Sequence, residues 1–239
     1  MLVMTNNTHQ TRRPILDAQM SEFWSGDLGL TLITISLAVL LLVITPLREA
    51  GLPGRLFFEL VTATLMVFGA LSTEQSQLAK AFVIVIVLVC GAVLAVGRLH
   101  PTLLLHELGG FLVTVTLLLY VRIVLLVMFR AGPVNWSRIQ GGLCAYVLLG
   151  LAWASAFQLI EQLSPGAFDF VTAPADLDQL TSKLTYFSFG TLTTVGSTIT
   201  PVHPFARSLT IAEAIVGQLF PATLVGALVA MAMESRHKS

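Results

Sequence analysis

The chain has 239 residues, 55% of them hydrophobic and 11% charged, with a formal net charge of zero. An ordinary soluble domain carries roughly 25% charged residues, so this composition excludes one and points to an integral membrane protein. The balance of 13 basic against 13 acidic residues gives no basic surface for nucleic acid.

Residues 1–27 are polar and hold Arg12 and Arg13. They lack a short apolar core with a small-residue cleavage site, so they are expected to be a cytoplasmic segment and not a signal peptide. A bilayer core of about 30 Å needs roughly 17 to 25 apolar residues per helix. Six stretches meet this: Leu28–Thr45, Leu56–Ser72, Ala81–Gly97, Leu108–Phe129, Ile139–Ile160 and Ser208–Met233. Pro46, Pro101 and Gly132-Pro133 punctuate the separators. The expected fold is therefore an all-α membrane protein with six transmembrane helices. It divides into a peripheral four-helix unit over 28–130, a second unit over 138–233 and a short tail over 234–239. Six spans place both termini on one side. That side holds Arg12, Arg13, Lys80, Arg130, Arg138, Arg236 and Lys238; the other holds Arg48, Arg55, Arg98, Lys183 and Arg207. The excess favours cytoplasmic termini.

The insert between the fifth and sixth spans has two parts. Ser164 to Asp178 is loop-like and acidic, and Gln179 to Thr193 is apolar and aromatic but too short to span. A half-length helix between two full spans reads as a re-entrant segment. Asp176 is placed to cap it, with Gln179 at the third helical position as in a capping box. The helix runs into Thr193-Thr194-Val195-Gly196-Ser197-Thr198-Ile199-Thr200-Pro201. Irregular backbone at membrane depth is tolerated only where it is buried in protein or lines water.

The segment Leu184 to Gly196, with Ile199-Thr200-Pro201, resembles the pore of potassium channels and related tetrameric cation channels. The resemblance is specific from about Asp178 to Val229. The continuation through His203 to Leu209 and Glu213 to Leu219 is similar to the inner helix of small bacterial members, whereas the first four spans match only in number and layout. The resemblance implies a homotetramer in a lipid bilayer, here a bacterial plasma membrane, that passes monovalent cations passively. It implies no enzyme chemistry, no cofactor, no nucleic-acid partner and no metal beyond permeant potassium and sodium. Thr194, Val195, Gly196, Ser197 and Thr198 would form the selectivity filter, with Tyr186, Phe187, Phe189 and Thr193 as pore-helix support.

Potassium channels read Thr-Val-Gly-Tyr-Gly-Asp at this point, and four copies direct backbone carbonyls at the axis. This chain keeps Thr194-Val195-Gly196 and then departs, with Ser197-Thr198 in place of Tyr-Gly-Asp. In length the loop resembles the Thr-Ile-Gly-Glu-Thr filter of cyclic-nucleotide-gated channels, which discriminate poorly among monovalent cations. Potassium conduction with relaxed selectivity over sodium is the expectation. The alternatives are a strictly potassium-selective channel and a non-conducting regulatory protein that keeps the fold.

Other residues carry two readings each. Glu161, Asp169, Asp176 and Asp178, against Lys183 and Arg207, read as a negative mouth or as a solvated loop. Gly217 and Pro221 are gating-hinge candidates; the plainer reading is a fixed bend with glycines, Gly226 included, that let helices approach. Glu213 is a filter-brace candidate or a solvated rim carboxylate. Glu59 lies about 6 Å into its span and Arg122 about 21 Å into its own, so they are not expected to pair. Arg122 and Arg130 alone are too few for a voltage sensor. His100, His106 and Glu107 fit no metal motif, and Cys90 and Cys144 read as small buried side chains. The tail over 234–239 is not expected to hold a ligand-binding domain. The short link from Phe129 to Ile139 favours peripheral helices packed on their own subunit's pore.

Overall fold

A computed structural model describes residues 34–45, 77–99, 103–129 and 136–237. The second expected span with Glu59, the segment 1–27, His100 and Arg130 lie outside the described residues. The chain forms α1 over 34–45 with a π-helical stretch at Leu40–Ile44, α2 Gln77–Leu99, α3 Leu103–Met128 and α4 Trp136–Leu163. Strand β1 at Phe168–Asp169, α5 Leu177–Leu192, β2 at Thr200–Pro201 and α6 Pro204–His237 complete it.

Helices α2 to α5 contain no proline, and the breakers fall between elements, at Pro101, Pro133 and Pro165-Gly166. Gly166 turns the chain at φ +86°, which glycine reaches without steric penalty. Three helices are long and apolar enough to cross a membrane: Glu107–Leu126 in α3, Arg138–Leu163 in α4 and Pro204–Met233 in α6. Thr34–Val43 and Ile84–Gly97 are shorter apolar helices. Of the six expected spans, the described residues thus carry three at full membrane length.

Helix α3 lies along α4, and the main core draws its buried residues from α1 to α5, with Val216 and Phe220 of α6 packed against it. Leu37, Cys90, Tyr120, Val121, Ile123, Cys144, Leu148, Leu149 and Leu192 meet there. Both cysteines are free and buried in it. The Thr114 hydroxyl donates to Ser155 Oγ at 2.9 Å between α3 and α4. A second core lies between α4, β1 and α5, where Phe157, Phe168 and Phe187 meet edge to face with centroids 5.1 to 5.6 Å apart. Such pairs add about 0.5–1.5 kcal/mol each beyond area burial.

Helix α5 starts as its sequence dictates. Asp176 Oδ1 accepts from Gln179 N at 2.8 Å, and Gln179 Oε1 accepts from Ala175 N at 3.0 Å, one residue before the cap itself. Asp176→Ala is expected to cost about 1 kcal/mol, read as a lower melting temperature in detergent. Thr181 Oγ1 donates to Gln158 Oε1 of α4, and Ser182 Oγ donates to Thr45 O at the end of α1.

The loop into α5 and the loop out of the turn are stitched together. β1 pairs antiparallel with β2, with Phe168 opposite Pro201 and Asp169 opposite Thr200. Val202 N and His203 N both donate to Ala167 O, at 2.8 and 3.1 Å. The Glu161 carboxylate accepts from Gly166 N and Phe168 N, at 2.9 and 3.0 Å. Of the acidic residues on this insert, Glu161 and Asp176 are held by backbone N–H groups. The basic residues are engaged too. Lys183 Nζ donates to Thr172 O, and Arg207 Nε donates to Pro201 O.

Candidate functional site

The turn after α5 is built by alternating backbone hand. Thr193 closes the helix, with its N–H donating to Phe189 O at 3.0 Å and its hydroxyl donating to the same oxygen at 2.6 Å. Thr194 then stands at φ +60° and Gly196 at φ +90°, while Val195 between them keeps a negative φ. For a β-branched residue the left-handed conformation costs about 1–2 kcal/mol, so the surroundings must hold Thr194 there. They do so through three contacts. Thr194 N donates to Thr191 O at 3.1 Å, Gly196 N donates to Gly190 O at 3.0 Å, and the Thr194 hydroxyl donates to Thr193 O at 2.7 Å. Gly190 is required by the fold, because a Cβ there would lie 2.5 Å from Gly196 O. The Ser197 hydroxyl accepts from Ile199 N at 3.1 Å and so braces its own loop. Thr194, Val195, Gly196 and Thr198 are exposed, Val195 at 82%.

Helix α6 closes on this turn from one side. A Cβ on Gly217 would lie 2.1 Å from Leu192 O, the last carbonyl of α5. Tyr146 of α4 donates its hydroxyl to the same carbonyl at 3.1 Å. Gln218 Nε2 donates to Thr194 Oγ1 at 3.1 Å. Gly217 lies about 20 Å along α6 from Pro204. The end of α5 and the turn therefore stand near the middle of the apolar stretch, not at its rim.

Glu213, the brace candidate, is fully buried, and it reaches α5 rather than the turn itself. The Ser188 hydroxyl stands between Glu213 Oε1 and Gly150 O, 2.8 Å from the latter, and joins α4, α5 and α6. Glu213 Oε2 has no hydrogen-bond partner among the described residues. On α4, Gly142, Tyr146 and Gly150 are spaced by four and share one face. A Cβ on Gly142 would lie 2.6 Å from Leu224, and one on Gly150 would lie 2.6 Å from the Phe189 ring. Tyr146 packs on Phe220 with centroids 5.6 Å apart.

Of the expected support residues, Phe187 is buried in the aromatic core, Phe189 sits on Gly150, Thr193 ends the helix and Tyr186 is exposed. Of the hinge candidates, Gly217 is a point of close approach to α5. Pro221 lies inside an unbroken α6, where Thr223 Oγ1 donates to Leu219 O and Phe220 O. Sequence reasoning passed over Ser188, Gly150, Tyr146 and Gln218. Gln218 alone had a legible signal, as a carboxamide in the middle of an apolar span. Among the described residues no group of three or more His, Cys, Asp or Glu could hold a metal.

No curated protein and no solved structure matches the chain. Residues 146–234 match a family model described as "Ion channel". That stretch holds the C-terminal two-thirds of α4, all of α5, the Thr194–Gly196 turn and nearly all of α6, so the part of the chain that builds the site is similar to ion channels.

Proposed function

We propose that the chain is one subunit of a homotetrameric channel for monovalent cations, with Thr194, Val195, Gly196, Ser197 and Thr198 as its filter. The observation that carries this reading is the exposed alternating-hand backbone at the middle of a membrane-length stretch. Peptide groups cannot face hydrocarbon there without several kcal/mol of loss each. Around a shared aqueous axis the same groups become ligands, because an alternating backbone turns successive carbonyls to one side. The face of α6 that carries Ile211, Ile215, Val225 and Val229 is uncovered within one chain, which leaves it to neighbouring copies and to the axis they share.

Potassium passes with appreciable sodium in this reading. Thr194 and Val195 supply the inner carbonyl rings, and the residues that would complete outer rings are missing. An ion that keeps more of its water is sorted less by size. The peripheral unit over 28–130, with six spans in all, packs on the pore unit over 138–233 of its own chain. That placement is supported by the α3–α4 packing and by the Ser182 bond to Thr45. The termini are cytoplasmic and the membrane is the plasma membrane. Gly217 and Pro221 permit inner-helix movement only below the contact with α5.

The test is the reversal potential of purified protein in a planar bilayer, with potassium on one side and sodium on the other. A value near zero with measurable current is expected. A second preparation with Tyr-Gly-Asp restored after Gly196 is expected to move the reversal potential toward the potassium equilibrium value. A wild type that already sits at that value would overturn relaxed selectivity, and protein verified as tetrameric that carries no current would overturn conduction.

A further inference from the structure

Between Ile211 and Met233, α6 carries three polar side chains: Glu213, Gln218 and Thr223. Glu213 is buried against Ser188, and Thr223 returns its hydroxyl proton to its own helix. Gln218 is exposed, about 21 Å along the helix from Pro204. Facing hydrocarbon, its carboxamide would lose water with nothing in return. Its neighbours on that face, Ile211, Val225 and Val229, are apolar, so the amide is the exception that needs a reason.

The orientation of that amide follows from counting protons. The one hydroxyl proton of Thr194 goes to Thr193 O, so Thr194 Oγ1 can only accept from Gln218. The amide nitrogen must therefore face Thr194. The carbonyl oxygen, Oε1, faces away and has no partner among the described residues. A neutral carboxamide oxygen is a hard ligand of the kind that alkali and alkaline-earth cations accept.

We propose that Gln218 is a specificity-determining residue of the cation pathway. Its Nε2 fixes the Thr194 side chain, and its free Oε1, repeated by symmetry, adds a ring of neutral oxygens at the inner end of the filter. This rests on the cation-pore reading and deepens it. In a filter without outer Tyr-Gly rings, discrimination falls to the inner rings, and Gln218 is the side chain that stiffens them. Thr194 is also the strained residue of the turn, so it is the one whose position most depends on an outside hydrogen bond.

The experiment compares wild type, Gln218→Met and Gln218→Glu as tetramers in planar bilayers between potassium and sodium solutions. Met keeps the length and removes both polar atoms. Gln218→Met is expected to change the potassium-to-sodium permeability ratio by roughly three- to tenfold, a factor of the size that one hydrogen bond's net worth corresponds to. It is expected also to lower single-channel conductance while tetramer size and melting temperature stay near wild type. Gln218→Glu keeps an oxygen but cannot donate to Thr194, so conductance is expected to hold while the ratio changes. A ratio unchanged in both variants, beside a conducting wild type, overturns the assignment alone. If Gln218→Met does not assemble, an unchanged ratio in Gln218→Glu overturns it. A wild type without cation current removes the cation-pore reading and the assignment with it.

Discussion

Gly217→Ala is expected to abolish cation flux and to lower sharply the melting temperature of the detergent-solubilised protein. The added methyl would lie 2.1 Å from Leu192 O and 2.9 Å from Leu192 Cα and its carbonyl carbon. These are backbone atoms at the end of α5, and no rotamer change moves them aside. The carbonyl is also held by the Tyr146 hydroxyl, so α5 cannot retreat without breaking that bond. The remaining outcome is that α6 moves away from α5. Overpacking of this kind costs typically about 1–3 kcal/mol, and contact with fixed backbone places it at the upper end. The same displacement would pull Gln218 from Thr194 and loosen the turn. Gly91→Ala is the matched control. Its Cβ meets nothing within 4 Å, and alanine is the better helix former by about 1 kcal/mol. Wild-type stability in Gly217→Ala would show that α6 does not rest on α5 as described.

Ser188→Ala is expected to be the most damaging single-atom deletion within residues 138–233. Ser188 is fully buried, and among the described residues its hydroxyl is the one hydrogen-bond partner of the Glu213 carboxyl, whose second oxygen has none. Removing it leaves a buried carboxyl without a partner and takes from Gly150 O its one bond beyond the α4 ladder. Each orphaned buried group costs about 1–3 kcal/mol. Glu213→Gln is expected to be far milder, because a carboxamide of the same shape keeps a contact with Ser188. Thermal unfolding of the three proteins in one detergent gives the order wild type, Glu213→Gln, Ser188→Ala. The reverse order for the two variants would mean that Ser188 does not hold Glu213.

Much of this architecture was legible because membrane burial leaves few choices. Long apolar runs fix α3, α4 and α6, and the half-length aromatic run fixes α5, whose cap at Asp176 could be read from the spacing to Gln179 alone. The turn at Thr194–Gly196 was legible because glycine and a following proline leave a long apolar helix no other way to begin. What could not be read is whatever depends on distance across the bundle. Gly150 and Gly142 look like any glycines in a span, yet each is a seat for one side chain, Phe189 or Leu224. Nothing local to Glu161 says that its oxygens meet Gly166 N and Phe168 N. Ser188 pairs with Glu213 across 25 positions, a separation at which sequence pattern carries no signal.

The stitch between Ala167–Asp169 and Thr200–His203 has a consequence for how such a protein can change over time. The chain enters and leaves the turn-bearing segment at one clasp, so everything between is a closed cassette whose frame does not depend on its contents. Lengthening a closed segment of this size by one residue alters its closure entropy by a small fraction of RT. The turn can therefore gain or lose residues next to Gly196 while the scaffold that carries it stays under its own separate constraints.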